Sequence, residues 1–208
     1  MEIEVFSVGP FQENTLLLKK EEQALLIDPG FYSEGEYQAF KKELQGRTLL
    51  AVYLTHAHVD HILGLSRVLR DFDVPVHLSH RDLYLWENAS GQAKMFGFNI
   101  PSFDFIPIEI TEGENINGSF IFKALYTPGH APDHMAFYFE SEKVLLAGDV
   151  LFRQSIGRTD LYKGDIDQLS ESIKKQVYTL PDETIVWPGH GPETTVGVEK
   201  QSNPFVSS

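Results

Sequence analysis

One apolar segment and the turn after it constrain the fold most. Residues 48–55, TLLAVYLT, form a continuous apolar run, which is typical of a strand covered on both faces of its sheet. The six residues that follow, HAHVDH, include His56, His58, Asp60 and His61. Residues 62–72 then have helical periodicity. The pattern predicts a buried strand, a turn dense in titratable side chains, and a helix.

Four further apolar runs are each followed by a titratable side chain. They place Asp28 after ALLI, His130 after FKALYTPG, Asp149 after KVLLAG and His190 after ETIVWPG. Strand ends in one sheet lie side by side, so turns that are distant in sequence can meet at one rim. Strands followed by helices occur in both halves of the chain. This order predicts an α/β fold in which helices cover the sheets.

Length and composition predict one globular domain over residues 1–208. Hydrophobic residues make up 42% of the chain and charged residues 23%, which suits a single buried core. The net charge of -13 disfavours nucleic acids and anionic membranes as partners. No apolar run reaches the roughly 20 residues that span a bilayer. The first ten residues also lack the pattern of a signal peptide, so we expect a cytoplasmic protein.

The chain has no cysteine, so nitrogen and oxygen atoms must hold any metal ion. Imidazoles with carboxylates suit zinc, with iron or manganese as alternatives. Two ions suit so many donors better than one, and Asp28 would orient a ligand imidazole. His134 is expected either to support a ligand or to pack in the core. We expect the first ion to be bound by His56, His58 and His130, the second by Asp60, His61 and His190, and both by Asp149.

The motif His-x-His-x-Asp-His, followed by a spaced His, Asp and His, resembles that of the metallo-β-lactamase superfamily. Within this superfamily, the segments GPFQENTLLL, TPGHAPDH, GDVLFRQSIGRTDL and WPGHGPETTVGVEKQSNPF are similar to those of glyoxalase II, hydroxyacylglutathione hydrolase, and its small single-domain relatives. The resemblance implies an αββα sandwich with two mixed sheets faced by helices, and the same seven metal ligands. It also implies that Arg158 and Tyr162 bind substrate.

The resemblance implies a metal-dependent hydrolase of a small-molecule thioester such as S-lactoylglutathione. Water bound between two metal ions would attack the acyl carbon as hydroxide, since the ions lower its pKa towards neutrality. Asp60 would orient this nucleophile in addition to binding metal. A thiol with a pKa of about 8.5 leaves as thiolate without a strong general acid. No Gly-x-Ser-x-Gly motif offers a competing serine nucleophile.

Other functions stay open at this point. A persulfide dioxygenase would use a single iron, held by His56, His130 and Asp149, and a hydrolase of another ester or lactone would use the same seven ligands. A β-lactamase is disfavoured because no export signal is seen, and a nuclease because the chain is acidic. A scaffold without catalysis is disfavoured because structural zinc sites usually close with four ligands. The pattern makes no prediction about oligomeric state.

Overall fold

The computed structural model describes residues 1–207, which form two compact units. The first unit contains residues 1–110 and 117–120, and the second contains residues 111–116 and the chain from residue 121 onwards. Each unit has a six-stranded mixed sheet and its own helices. The expected fold class, α/β with two mixed sheets and helices, is therefore confirmed. The single domain over residues 1–208 stays a prediction.

The sheet of the first unit begins as an antiparallel meander and continues as parallel strands. The meander consists of the first three strands, which pair as antiparallel neighbours. The third and fourth strands are parallel, so their carboxyl ends meet at one edge of the sheet. In order across the sheet, the strands are β1 Glu2–Val8, β2 Glu13–Lys20, β3 Gln23–Ile27, β4 Thr48–Tyr53, β5 Val76–Leu78 and β6 Ile108–Glu109.

The helix predicted over residues 62–72 is two helices separated at Gly64. A Cβ atom at Gly64 would lie 2.7 Å from the Cβ of Phe31, so no larger residue fits there without a shift. The backbone N–H of Gly64 instead donates to the carbonyl oxygen of Pro29 at 2.8 Å. The helices of this unit are α1 Glu34–Leu44, α2 Val59–Ile62, α3 Leu65–Asp71, α4 Tyr84–Glu87 and α5 Ala89–Met95.

The sheet of the second unit has parallel neighbours at its centre. Strands β10 Val144–Gly148 and β13 Ile185–Pro188 are parallel, so the residues that follow them emerge at the same edge. The remaining strands of the sheet are β7 Gly113–Asn117, β8 Phe120–Tyr126, β9 Met135–Phe139 and β14 Thr194–Thr195, in the order β14-β13-β10-β9-β8-β7. The segment 99–119 contains the short strands β6 and β7.

The helices of the second unit cover one face of its sheet. Helix α6 Ile166–Ser172 continues into a π-helical turn, Ile173–Val177, and α7 Val196–Ser202 follows near the end of the chain. Their apolar side chains pack with those of β10 and β13 in one buried cluster. A separate hairpin is formed by β11 Leu151–Phe152 and β12 Ser155–Ile156. No helix within residues 1–207 has the length and hydropathy that crossing a bilayer requires.

Lys19 on β2 is a buried cation surrounded by carboxylates. Its Nζ lies 2.7 Å from Glu2 Oε1 and 3.6 Å from both Glu4 Oε2 and Glu43 Oε2. Burial lowers the pKa of Lys19, but the hydrogen bond to Glu2 and the three negative charges outweigh it, so the pKa lies above its ordinary value of 10.5. Because the folded-state pKa is the higher one, these contacts stabilise the fold at neutral pH, and their contribution is lost as pH rises through that pKa.

We predict that Lys19→Met lowers the free energy of unfolding by about 1–2 kcal/mol at about pH 8, since it leaves three carboxylates without their buried partner. The difference from wild type should shrink at a pH above the raised pKa of Lys19, where its charge is lost. Urea unfolding at both pH values measures it. Lys123→Met is the control, because its ion pair with Glu140 has the same 2.7 Å separation but is exposed. Equal stability of Lys19→Met and wild type at the lower pH would contradict the prediction.

Candidate metal centre

The turn after β4 brings three histidines and an aspartate together. The ring centroids of His56 and His61 are 4.2 Å apart, and those of His56 and His58 are 4.7 Å apart. All three imidazoles are buried, whereas Asp60 is half-buried. Asp60 Oδ2 lies 4.0 Å from His61 Nε2. The first unit therefore clusters the four ligands that its sequence motif predicts.

Asp28 orients two of these imidazoles. Its Oδ1 accepts from Thr55 N at 2.8 Å, its Oδ2 accepts from Thr55 Oγ1 at 2.6 Å, and the same Oδ2 lies 3.0 Å from His61 Nδ1. Because Thr55 gives its only hydroxyl hydrogen to Asp28, His56 Nδ1, which lies 3.0 Å from Thr55 Oγ1, must be the donor in that contact. His56 and His61 therefore carry their hydrogens on Nδ1 and present the lone pair at Nε2.

Asp28 holds this position at the cost of an unusual backbone conformation. Its φ of +47° lies in the left-handed region, which residues other than glycine rarely adopt. The backbone is tied down on both sides: Asp28 N donates to Tyr53 O at 3.1 Å, and Gly30 N donates to Asp28 O at 2.8 Å. Strain of this kind is typical of functional sites. The structure thus places Asp28 where the strand-end pattern expects it.

Glu13 is a buried carboxyl group at this site that the sequence pattern did not indicate. Its Oε1 lies 3.8 Å from His61 Nδ1, and its Oε2 lies 2.8 Å from Thr15 Oγ1. Burial raises the pKa of Glu13 well above its usual value, although His61 opposes the shift. Glu13, Asp28 and His61 present atoms within 4.8 Å of one another. The signal in the sequence that could have identified Glu13 is that it is a charged residue at the start of an apolar strand.

Gln92 of α5 supports the same turn from outside. Its side-chain nitrogen donates to the carbonyl oxygen of Ala57 at 3.0 Å and to that of Leu85 at 2.7 Å. Ala57 separates His56 from His58, so this amide ties the histidine turn to the helical segment. Nothing in the spacing of Gln92 predicts this contact, because it joins residues 35 positions apart.

The second unit places Asp149 between two histidines. Asp149 Oδ2 lies 3.4 Å from His130 Nε2 and 3.5 Å from His190 Nε2. His130 Nδ1 lies 2.8 Å from the carbonyl oxygen of Arg158, a group that only accepts hydrogen bonds. His130 therefore carries hydrogen on Nδ1, as His56 and His61 do. The second unit brings its three predicted ligands together.

The donor chemistry of both clusters fits divalent cations. In the neutral tautomer, the Nε2 lone pair of His130 faces a carboxylate oxygen of Asp149, so two acceptors point at each other. Such an arrangement is favourable when a cation lies between them. The contact between His61 Nε2 and Asp60 repeats this arrangement in the first unit. Imidazole nitrogen and carboxylate oxygen are ligands that zinc, iron and manganese all accept.

His134 supports Asp149 and uses both of its ring nitrogens to do so. Its Nε2 accepts from Asp149 N at 3.0 Å, so its hydrogen is on Nδ1, which lies 2.9 Å from Thr127 Oγ1. The side chain is fully buried. Of the two roles left open for His134, the contact with Asp149 N favours support of a predicted ligand. Two other histidines, His77 and His80, contact Tyr53 and Pro107 instead.

The two predicted substrate residues, Arg158 and Tyr162, follow β12 in the second unit. Arg158 Nε and Nη2 donate to Asp160 Oδ1 and Oδ2 at 2.7 and 2.8 Å. The hydrogen bond from Arg158 lowers the pKa of Asp160 to about 2. Lys163 Nζ lies 5.3 Å from the centre of the Tyr162 ring. The contact of Arg158 with His130 is made by its backbone carbonyl, and substrate binding by Arg158 and Tyr162 stays a prediction.

The chain is similar to known proteins over nearly its whole length. Residues 8–190 match the family model described as the metallo-beta-lactamase superfamily. The chain is 39% identical over 215 residues to hydroxyacylglutathione hydrolase GloC of Haemophilus influenzae, which covers 100% of this chain and 99% of the relative.

Two solved structures are also similar over nearly the full length. The crystal structure of BLEG-1 B3 metallo-beta-lactamase has a TM-score of 0.91 and 38% identity, with 100% of both chains covered. TTHA1623 in a di-iron-bound form has a TM-score of 0.87 and 40% identity, with 98% of this chain and 100% of the other covered.

These similarities agree with the fold and with the donor clusters. The motif from His56 to His61 lies inside the matched range, as do His130, Asp149 and His190. The clustered histidines and aspartates, together with the di-iron-bound relative, support the use of divalent metal. The chain belongs to the metallo-β-lactamase superfamily, a superfamily of metallo-hydrolases.

Proposed function

We propose that the protein is a metal-dependent thioester hydrolase of the glyoxalase II type. The observation that carries the proposal is the common tautomer of His56, His61 and His130, whose Nδ1 atoms are all bound by the protein. This arrangement points the Nε2 lone pairs at the grouped histidines and aspartates, where a metal ion could accept them. Histidines that only pack in a core would not need such an orientation. The 39% identity to a hydroxyacylglutathione hydrolase supports a thioester as the substrate class.

The proposed centre binds two divalent ions. Zinc, iron and manganese all accept these donors. We propose zinc first, with iron or manganese as alternatives. The di-iron-bound relative supports iron in particular. We assign His56, His58 and His130 to one ion, Asp60, His61 and His190 to the other, and Asp149 to both.

When bound, the ions would make a water molecule acidic enough to act as a nucleophile at neutral pH and would polarise the acyl carbonyl. Asp60, whose Oδ2 lies 4.0 Å from His61 Nε2, would orient that water through its carboxylate. Asp28 and Thr55 keep His56 and His61 in the ligating tautomer. The departing thiol, with a pKa of about 8.5, needs no strong general acid, and the proposed chemistry requires none from the chain.

Substrate binding is proposed for Arg158 and Tyr162. The ion pair of Arg158 with Asp160 is exposed, and exposed ion pairs stabilise a protein little, so Arg158 can exchange this partner for an anionic end of the substrate. The net charge of -13 favours a small molecule over a nucleic acid or an anionic membrane as the partner.

A second candidate is a persulfide dioxygenase that uses one iron, held by His56, His130 and Asp149. The di-iron-bound structure, at 40% identity, is the observation that favours iron chemistry. Oxygen consumption with glutathione persulfide would identify this activity, whereas loss of the thioester absorbance identifies hydrolysis. A hydrolase of a different ester or lactone would use the same ligands.

We predict that wild-type protein holds two metal ions per chain and hydrolyses S-lactoylglutathione. Dialysis against a chelator should lower kcat by a factor of at least about 100, because ordinary water is a poor nucleophile at neutral pH. Adding zinc, iron or manganese back should restore the rate and identify the effective metal. Elemental analysis and the thioester assay measure both effects. Undiminished hydrolysis by metal-free protein would rule out the proposed mechanism.

We predict that Thr55→Val weakens metal binding by about 10–100-fold, because His56 loses the acceptor that holds its tautomer. Competition with a chromophoric chelator measures the affinity. Thr184→Val is the matched control, since Thr184 is also a buried threonine but its hydroxyl makes no hydrogen bond within residues 1–207. Metal affinity that falls equally in both variants would show that the effect does not come from the tautomer.

A further inference from the structure

Glu199 of α7 is a fully buried carboxylate whose hydrogen-bond donors are all neutral groups. Its Oε1 accepts from Thr194 Oγ1 at 2.6 Å, and its Oε2 accepts from Gln154 N at 3.0 Å and from Asn203 Nδ2 at 2.8 Å. The adjacent Lys200 pairs with Asp182 instead. A carboxylate is costly to bury without a cation, so its retention here calls for a reason beyond packing.

The hydrogen bonds of Glu199 lead to the turn of the β11–β12 hairpin. Gln154, which donates to Glu199, lies in this turn with a φ of +58°. Asn203, the second donor, also gives a hydrogen bond to Ser155 O at 3.1 Å. The side chain of Gln154 donates to Ser202 Oγ at 2.8 Å. Helix α7 and its C-cap residue, Asn203, therefore hold one residue of the turn, Gln154, and the first residue of β12, Ser155.

The same hairpin is connected to all three proposed ligands of the second unit. Asp149 lies two residues before Leu151, where the hairpin begins, and the first strand carries Phe152, whose ring lies 6.1 Å from that of His190. After its second strand comes Arg158, whose carbonyl oxygen accepts from His130 Nδ1 at 2.8 Å. A displacement of the hairpin would move Asp149 and the acceptor of His130 together.

The hairpin is too small to keep its shape alone. Its strands pair at two positions, Leu151 with Ile156 and Phe152 with Ser155. An isolated two-stranded hairpin is at best marginally stable in water, and this one is shorter than most. Its conformation must therefore be supported from outside. Leu151 and Ile156 belong to the buried cluster of this unit, and Glu199 and Asn203 bind the hairpin at its turn end.

We propose that Glu199 is a positioning residue of the metal centre, which acts through the turn of the β11–β12 hairpin on Asp149 and on the carbonyl acceptor of His130. The inference rests on the proposed function, because it requires these side chains to bind metal. Glu199 touches neither the ligands nor the substrate. Its role is to stop the hairpin from moving when the metal-binding side chains are arranged around their ions.

A purely structural role predicts a different pattern, and Tyr178 offers the comparison. Its hydroxyl lies 3.1 Å from both Glu199 O and Val206 O, so these hydrogen bonds anchor α7 and the end of the chain but do not involve the hairpin. Tyr178→Phe should lower stability yet keep the metal affinity of wild type. Glu199→Gln should also keep it, because the amide oxygen can accept from Gln154 and Asn203 while the amide nitrogen donates to Thr194 Oγ1.

The experiment compares Glu199→Met with wild type and with these two controls in the full chain. Zinc affinity is measured by chelator competition, and hydrogen exchange of the Gln154 amide is measured in metal-free protein. We expect Glu199→Met to bind its weaker zinc ion about 10–100-fold less tightly. We also expect the Gln154 amide of this variant to exchange at least about tenfold faster. Should Glu199→Met fail to fold, Asn203→Ala interrupts the same tether and is measured in the same way.

Two results would overturn the inference. One is wild-type zinc affinity in Glu199→Met, and the other is an equal loss of affinity in Tyr178→Phe. Failure of the proposed function is recognised separately, in the wild-type protein. If wild type binds two ions but does not cleave a thioester, the proposed substrate is wrong, and the zinc affinities of Glu199→Met and wild type still test the role of Glu199. If wild type binds no zinc, both proposals are wrong.

Discussion

The hydrogen bonds of Asp28 are the interaction on which the histidine cluster of the first unit depends. A neutral imidazole has two tautomers, and a metal can bind only the nitrogen that lacks hydrogen. Asp28 binds Thr55 and His61 directly and reaches His56 through the Thr55 hydroxyl. One carboxylate thus decides where two imidazoles present their lone pairs. The parallel strands β3 and β4 supply the two sides of this contact and hold Asp28 in its strained conformation.

The second unit reaches the same chemical result with different groups. A backbone carbonyl, that of Arg158, takes the hydrogen of His130, and the ring of His134 accepts the backbone N–H of Asp149. Two glycines make room for this arrangement. A Cβ at Gly129 would lie 2.2 Å from Leu169 N, and one at Gly157 would lie 1.9 Å from Asp149 O. Both glycines lie close to a proposed ligand, and neither position has room for a side chain.

The sequence predicted the strands, the fold class and the clustering of the donors within each unit, because these depend on short-range patterns and on the chemistry of His and Asp. It did not predict Glu13, Gln92 or Glu199, whose contacts join residues far apart in the chain. It also missed α7, since residues 196–202 contain Gly197 and few apolar residues. That helix forms because Thr195 caps it and because Val196 and Glu199 are buried by the surrounding fold.

The segment between β5 and β6 is attached to the histidine turn through Gln92, which holds the carbonyl of Ala57. The metal-binding side chains of the first unit belong to the turn itself, not to this segment. Evolution can therefore remodel the exposed parts of α4, α5 and the loop after them without replacing a proposed ligand, provided that the Gln92 contact and the buried side chains of both helices are kept. Relatives with the same ligands but a different segment here would be expected to agree in how they bind metal.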